Sequence, residues 1–101
     1  MSFETIRVNE VYKYIGKPYT LIIDLRDKED YIKGHIPYAV NIPYEDLENH
    51  KDIFKGYNQL VFYCDRGHIS LLAARDLMKY GYNMKSIHGG IRAYRGKLEK
   101  G

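Results

Sequence analysis

Two unbroken apolar runs constrain this chain more than any other feature. Residues 19–26 read YTLIIDLR and residues 58–64 read NQLVFYC. Neither run alternates polar with apolar residues, as a strand with one wet face would. A run of this length without alternation is the pattern of a strand buried on both faces, and such strands belong to parallel sheets covered by helices. The intervening segments fit that reading. Residues 5–16, TIRVNEVYKYIG, open as a short strand, and Asn9 then offers a cap for a short helix through Ile15, closed by Gly16. DKEDYIKGH, residues 27–35, reads as a short helix with acids in its first turn and Lys33 and Gly34 at its end. YAVNIP is a short strand stopped by Pro43, and YEDLENHKDIF is weakly helical with Leu47 and Phe54 facing inward. SLLAARDLMKYG, residues 70–81, is the clearest helix. Ser70 stands as its cap, Leu71, Leu72, Arg75, Leu77 and Met78 on its broad apolar face, and Gly81 at a left-handed stop. MKSIHGG is a last strand running into a tight turn, and IRAYRGKLEK is expected to form a short terminal helix. Strand and helix alternate throughout, which predicts an α/β domain: a small parallel sheet with helices on both faces, the run at 58–64 at its centre.

The 101 residues suit a single domain over 1–101. The formal net charge is +3, with 16 Lys and Arg against 13 Asp and Glu, and the signs are interspersed. No basic block of the kind a nucleic-acid stripe needs is present, so nucleic acid is not expected as a partner. No stretch approaches the ~20 apolar residues of a membrane span. The N-terminus carries charge without an apolar signal core, and a reducing cytoplasm is the expected setting. One cysteine makes neither an internal disulfide nor a multi-cysteine zinc site. The four histidines show no H-x-x-x-H spacing, so no metal is expected.

That single cysteine, Cys64, closes the second apolar run. A buried filler cysteine would more naturally sit inside the run than at its end. In a parallel sheet, ligands bind outside the carboxyl ends of the strands, which is where Cys64 falls. Asp65, Arg66, Gly67, His68 and Ile69 follow as a short loop before the helix that is expected to start near Ser70. If that loop curls around the sulfur, its N–H groups and those of the helix start point inward and favour an anion. Gly67 permits the backbone angles required, and Arg66 and His68 add positive charge. A thiol in such a cradle is expected to act as thiolate. The cradle also suits a persulfide, Cys–S–S⁻, so nucleophilic catalysis would run in two halves without cofactor or metal. Thiolate takes the outer sulfur of a small anionic donor such as thiosulfate, and a nucleophilic acceptor (a thiol, cyanide or a protein) removes it.

Three fragments in order carry a family resemblance. LIIDLRDKEDYIKGHIPYAVNIP, VFYCDRGHISLLAARDLMKYGY and IHGGIRAY together resemble the rhodanese family of sulfurtransferases, from about Thr5 to Leu98. The resemblance implies a five-stranded parallel sheet flanked by helices, Cys64 as the sulfur-carrying nucleophile, and residues 64–69 as a six-residue anion loop. Tyr94 stands where many members carry tryptophan. Ile69 departs from the polar or basic residue common among single-domain members, so charge near the sulfur falls to Arg66 and His68.

Asp24 and Arg26 end the first apolar run on the same side of the sheet as Cys64. They are expected to hold adjoining loops by hydrogen bonds or an ion pair, or to shape the rim of the site. His35, in GHIP, is expected to bond backbone before Pro37 rather than to act as a base. His88 is expected to be structural and His50 solvated. Gly89-Gly90 reads as a turn that lets backbone pass close to another segment. Three other functions compete with sulfur transfer. A phosphatase of related fold needs an arginine at the sixth position after the cysteine to clamp the oxyanion, and here that position is Ser70. A carrier or regulatory module would hold sulfur for one protein partner with little turnover, and Ile69 keeps that alternative alive. A thiol redox sensor would have to work without an internal resolving cysteine.

Overall fold

The computed structural model describes residues 3–101. Its sheet has five strands: β1 (Phe3–Ile6), β2 (Thr20–Asp24), β3 (Val40–Asn41), β4 (Gln59–Tyr63) and β5 (Met84–Ile87). All pairings are parallel and the order is β1-β5-β4-β2-β3, so β4 is central. Every residue from Leu21 to Asp24 and from Leu60 to Tyr63 is buried, which is why these runs carry no polar alternation.

The two faces sort by residue parity, since neighbouring side chains in a strand point to opposite sides. Leu21, Ile23, Leu60, Phe62, Cys64 and Met84 join one core with Ala73, Ala74 and Leu77. Ile6, Ile22, Val61, Tyr63 and Ile87 join the other with Val11, Ile36 and Ala39. Cys64 therefore points to the face covered by the helix that follows it.

Helix α1 (Lys28–Lys33) carries Glu29 and Asp30 in its first turn and stops at Gly34, as its sequence predicts. Residues Tyr44–Gly56 form 3-10 turns that break at His50 and bury Leu47 and Phe54. Gly81 takes φ 79°, the left-handed stop expected. Among the described residues no helix is long and apolar enough to cross a membrane.

Three local expectations are corrected. The first helical segment is a 3-10 helix, Val8–Lys13, led by Arg7 rather than Asn9; the Arg7 amide donates to Glu10 Oε1 at 3.1 Å. Helix α2 runs His68–Leu77, two residues earlier than expected, with Gly67 at its cap and Ser70 inside it. Its buried stripe is Ser70, Ala73, Ala74 and Leu77, while Leu71 and Leu72 are exposed. Small side chains at i, i+3 and i+4 let the helix backbone lie close to the sheet, and that close seat decides which face turns inward. After β5 only Ile91–Ala93 forms a helical turn. The tail then extends and pairs with His35, whose amide donates to the Glu99 carbonyl at 2.8 Å and whose carbonyl accepts the Glu99 amide at 2.9 Å.

Candidate functional site

The sulfur sits at the junction of β4 and α2. Gly67 takes φ 104°, so the chain reverses directly after Arg66 and brings the first turn of α2 back over Cys64. A side chain at Gly67 would also crowd the Gly89 amide nitrogen at 3.0 Å. The reversal aims two backbone amides at the sulfur: Gly67 N lies 3.1 Å and Ser70 N 3.4 Å from Cys64 Sγ. Only 4% of Cys64 is exposed, so these donors meet a sulfur shielded from water. The Ser70 hydroxyl donates back to the Gly67 carbonyl at 3.1 Å and accepts from Ser86 Oγ at 2.8 Å. Ser86 pairs with Phe62 in register, two residues before Cys64, which places its hydroxyl under the start of α2. The hydroxyl pair thus locks the first turn of the helix to β5.

A second segment closes on the loop from the other side. The Ile91 amide donates to the Cys64 carbonyl at 2.9 Å, and the Arg92 amide to the Asp65 carbonyl at 3.1 Å. Gly90, at φ 61°, makes this approach: a Cβ there would lie 2.4 Å from the Asp65 carbonyl oxygen and 2.6 Å from that of Cys64. The Gly-Gly turn passes close to another segment as expected, and that segment is the candidate loop. Side chains repeat the link, since Asp65 Oδ2 accepts from Arg92 Nε at 2.9 Å. Arg66 Nε stands 3.8 Å from the same oxygen. His68 and Ile69 are exposed.

Asp24 and Arg26 lie at the same strand ends as Cys64, but their side chains form a separate knot on the opposite face of the sheet, with Tyr63 and away from the sulfur. Asp24 is fully buried and receives Arg26 through Nε at 3.1 and 3.2 Å and Nη2 at 2.8 Å. The Tyr63 hydroxyl donates to Asp24 Oδ2 at 2.6 Å and accepts the Ile36 amide at 3.1 Å. Burial first, then the Asp24 carboxylate, push the Tyr63 phenol above its ordinary range, so it remains a donor. Arg26 Nη2 also donates to the Gly34 carbonyl at 2.7 Å. This arrangement holds the loops at the strand ends, the role expected of the pair, and alternation along β4 turns Tyr63 away from Cys64. His35 bonds the Tyr31 carbonyl through Nδ1 at 2.9 Å and stacks on the Tyr31 ring at 3.8 Å, a backbone role as expected. The His88 ring is exposed, and only its amide is held, by the Ile6 carbonyl at 2.8 Å.

Sequence reasoning missed Tyr63, Ser86 and Arg92. A serine inside the apolar strand MKSI is a readable signal for a buried hydroxyl that needs a partner. Arg92 carries no local signal, because its position beside Asp65 depends on the clasp between two distant segments.

What the geometry offers is a shielded sulfur with two fixed amide donors at the start of a helix, an environment that stabilises negative charge on that atom. A tRNA sulfurtransferase of Desulfurococcus amylolyticus is 37% identical over 81 residues, 80% of this chain and 16% of the relative. A Bacillus subtilis protein named "Putative sulfur carrier protein YrkF" is 33% identical over 79 residues, 77% of this chain and 43% of the relative. The chain thus spans less than half the length of either relative. A rhodanese-like domain protein from Staphylococcus aureus superposes with a TM-score of 0.85 over 97% of this chain and 98% of its own, at 24% identity, a likeness of fold. The family model for the rhodanese-like domain matches residues 7–97, nearly the whole chain and all of the elements that surround Cys64, and the protein therefore belongs to the rhodanese-like domain family.

Proposed function

We propose that this chain is a sulfurtransferase that carries sulfane sulfur as a persulfide on Cys64. The observation that supports it best is the pair of amides, Gly67 N and Ser70 N, on Cys64 Sγ. In the first half-reaction the thiolate attacks the outer sulfur of an anionic donor. With thiosulfate, the new bond is Sγ–S, the S–S bond of the donor breaks, and its electron pair leaves on sulfite. The charge moves from Sγ to the terminal sulfur. In the second half-reaction a thiolate, cyanide or a protein thiolate attacks that terminal sulfur, and Cys64 departs as thiolate. Neither half needs a metal or cofactor. A reducing compartment is the setting in which such a free thiol persists.

Intact-mass measurement tests this reading. Thiosulfate should add one sulfur, about 32 Da, which a reducing thiol removes. Cys64→Ser should keep the fold and gain nothing. Addition in Cys64→Ser, or none in the parent protein with any sulfane donor, rejects the proposal.

One observation favours a second reading, a sulfur carrier with little turnover of its own. Asp65 already engages Arg92, and Ile69, exposed on the first turn of α2, is apolar. Steady-state thiocyanate formation from thiosulfate and cyanide separates the two. Rapid formation marks the enzyme, and a persulfide that forms without turning over marks the carrier.

A further inference from the structure

The charges around the sulfur point to a substrate class. The described cations closest in connectivity to Cys64 are Arg66, two residues on, and Arg92, whose amide bonds the Asp65 carbonyl. Both guanidinium groups approach one oxygen, Asp65 Oδ2, at 3.8 and 2.9 Å. Asp65 directly follows Cys64, so a fixed negative charge stands one residue from the nucleophile. The three side chains are 54–66% exposed, and ion pairs in water at that exposure add little to stability. Their consequence lies in the field at the mouth of the site. The carboxylate holds Arg92 by a hydrogen bond and stands beside Arg66, so it offsets part of the positive charge that a second charge on a substrate would use, and it repels that charge. The sulfur cradle itself supplies two neutral amides to Cys64 Sγ. Beside the exposed His68, the first turn of α2 exposes Ile69 and Leu71, with Leu72 exposed one turn beyond Ile69, so an organic substituent has apolar neighbours there.

Building on the sulfur-transfer reading above, we propose that Asp65 is a specificity-determining residue that shifts this site away from the thiosulfate dianion and toward singly charged organic sulfane donors, thiosulfonates R–SO2–S⁻ and persulfides R–S–S⁻. With a thiosulfonate, Sγ bonds the terminal sulfur, the S–S bond to the sulfonyl sulfur breaks, and the electron pair leaves on the sulfinate R–SO2⁻. With a persulfide, the electron pair leaves on the thiolate R–S⁻. Each exchange balances in atoms and charge, and none needs an oxidant or reductant.

Thiosulfate and methanethiosulfonate make the test, because they differ by a methyl group in place of one anionic oxygen. The readout is the ratio of kcat/KM for thiosulfate to that for methanethiosulfonate, measured from the single-turnover gain of sulfur on Cys64 where steady-state turnover is slow. Intrinsic donor reactivity cancels when a variant is compared with the parent protein. Asp65→Asn frees Arg66 and Arg92 and should raise the ratio about three- to tenfold at low ionic strength, with the gain shrinking as salt is added. Asp65→Glu should keep the parent ratio. A merely structural role for Asp65 would change both donors alike and leave the ratio and its salt dependence flat. A flat ratio in Asp65→Asn while both donors still load Cys64 overturns this proposal and leaves sulfur transfer standing. Failure of every donor to load the parent protein overturns sulfur transfer itself, and the proposal with it.

Discussion

Gly90 is the residue on which the site geometry depends most sharply outside the loop itself. It takes φ 61° with ψ −162°, a region nearly closed to L residues with a side chain, and a Cβ would meet the carbonyl oxygens of Asp65 and Cys64 at 2.4 and 2.6 Å. The obstructing atoms are backbone, so no side-chain rotation relieves them. Gly90→Ala should therefore cost about 3 kcal/mol in a denaturant melt and slow sulfur uptake beyond that loss, because the Cys64 carbonyl must move. Gly56, where an added methyl meets nothing within 4 Å, is the control and should change little. A Gly90→Ala protein as stable as the Gly56→Ala protein would show that the clasp yields. At this scale the sequence was readable where chemistry is local. A lone cysteine at the end of an apolar run, followed by Gly67, located the shielded sulfur and the reversal of chain that covers it. The two amides that reach the sulfur follow from that reversal. The partner of Asp65 was not readable, since nothing near residue 65 says that Arg92 lies beside it.

At the scale of elements, the ends of β2 and β4 are tied by a buried network around Tyr63. Its hydroxyl joins Asp24 on β2 to the Ile36 amide in the loop after α1. The phenol is held above its ordinary value near 10, by burial first and by Asp24 next. Below pH 10 both folded and unfolded chains keep this proton, and the network contributes in full. Above that point the unfolded chain loses the proton while the folded chain retains it. The unfolded state then binds fewer protons, and stability falls as pH rises. Alkaline unfolding curves should show this decline. Tyr63→Phe should cost about 1–3 kcal/mol at neutral pH, from the unpaired Asp24 oxygen and Ile36 amide, and should flatten part of the alkaline slope. An unchanged slope would mean that other tyrosines carry it. The strands were legible at this scale because burial on both faces leaves an unbroken apolar run. The inward face of α2 was not. Leu71 and Leu72 look like core residues in sequence, yet the close seat of the helix on the sheet selects Ala73 and Ala74. Hydrophobicity alone cannot report that choice, because it depends on the distance between two elements.

At the scale of the molecule, the parallel α/β class was legible from alternation, and the order β1-β5-β4-β2-β3 was not, because strand neighbours are set by crossovers rather than by sequence adjacency. That order has a dynamic consequence. β4 lies at the centre, bonded to β2 on one side and β5 on the other, with Leu60 to Tyr63 buried. Its amides have no route to water short of dismantling the sheet. The segment Tyr44–Gly56 is held differently, by 3-10 turns broken at His50 and two buried anchors, Leu47 and Phe54. Few buried contacts and exposed backbone bonds allow opening at low free energy. Hydrogen exchange under native conditions should therefore show β4 amides exchanging only with global unfolding, with a denaturant dependence equal to that of the whole molecule. Amides of residues 44–56 should exchange faster by orders of magnitude and with little denaturant dependence. The first residues of α2 should follow β4, since the Ser70–Ser86 hydroxyl pair and the clasp at Gly90 bind them to the sheet. Were the amides of Ser70 and Leu71 to exchange as fast as those of residues 44–56, the cradle around Cys64 would open on its own. A sulfur anion held there would then lose its shelter from water far more often than the sheet unfolds.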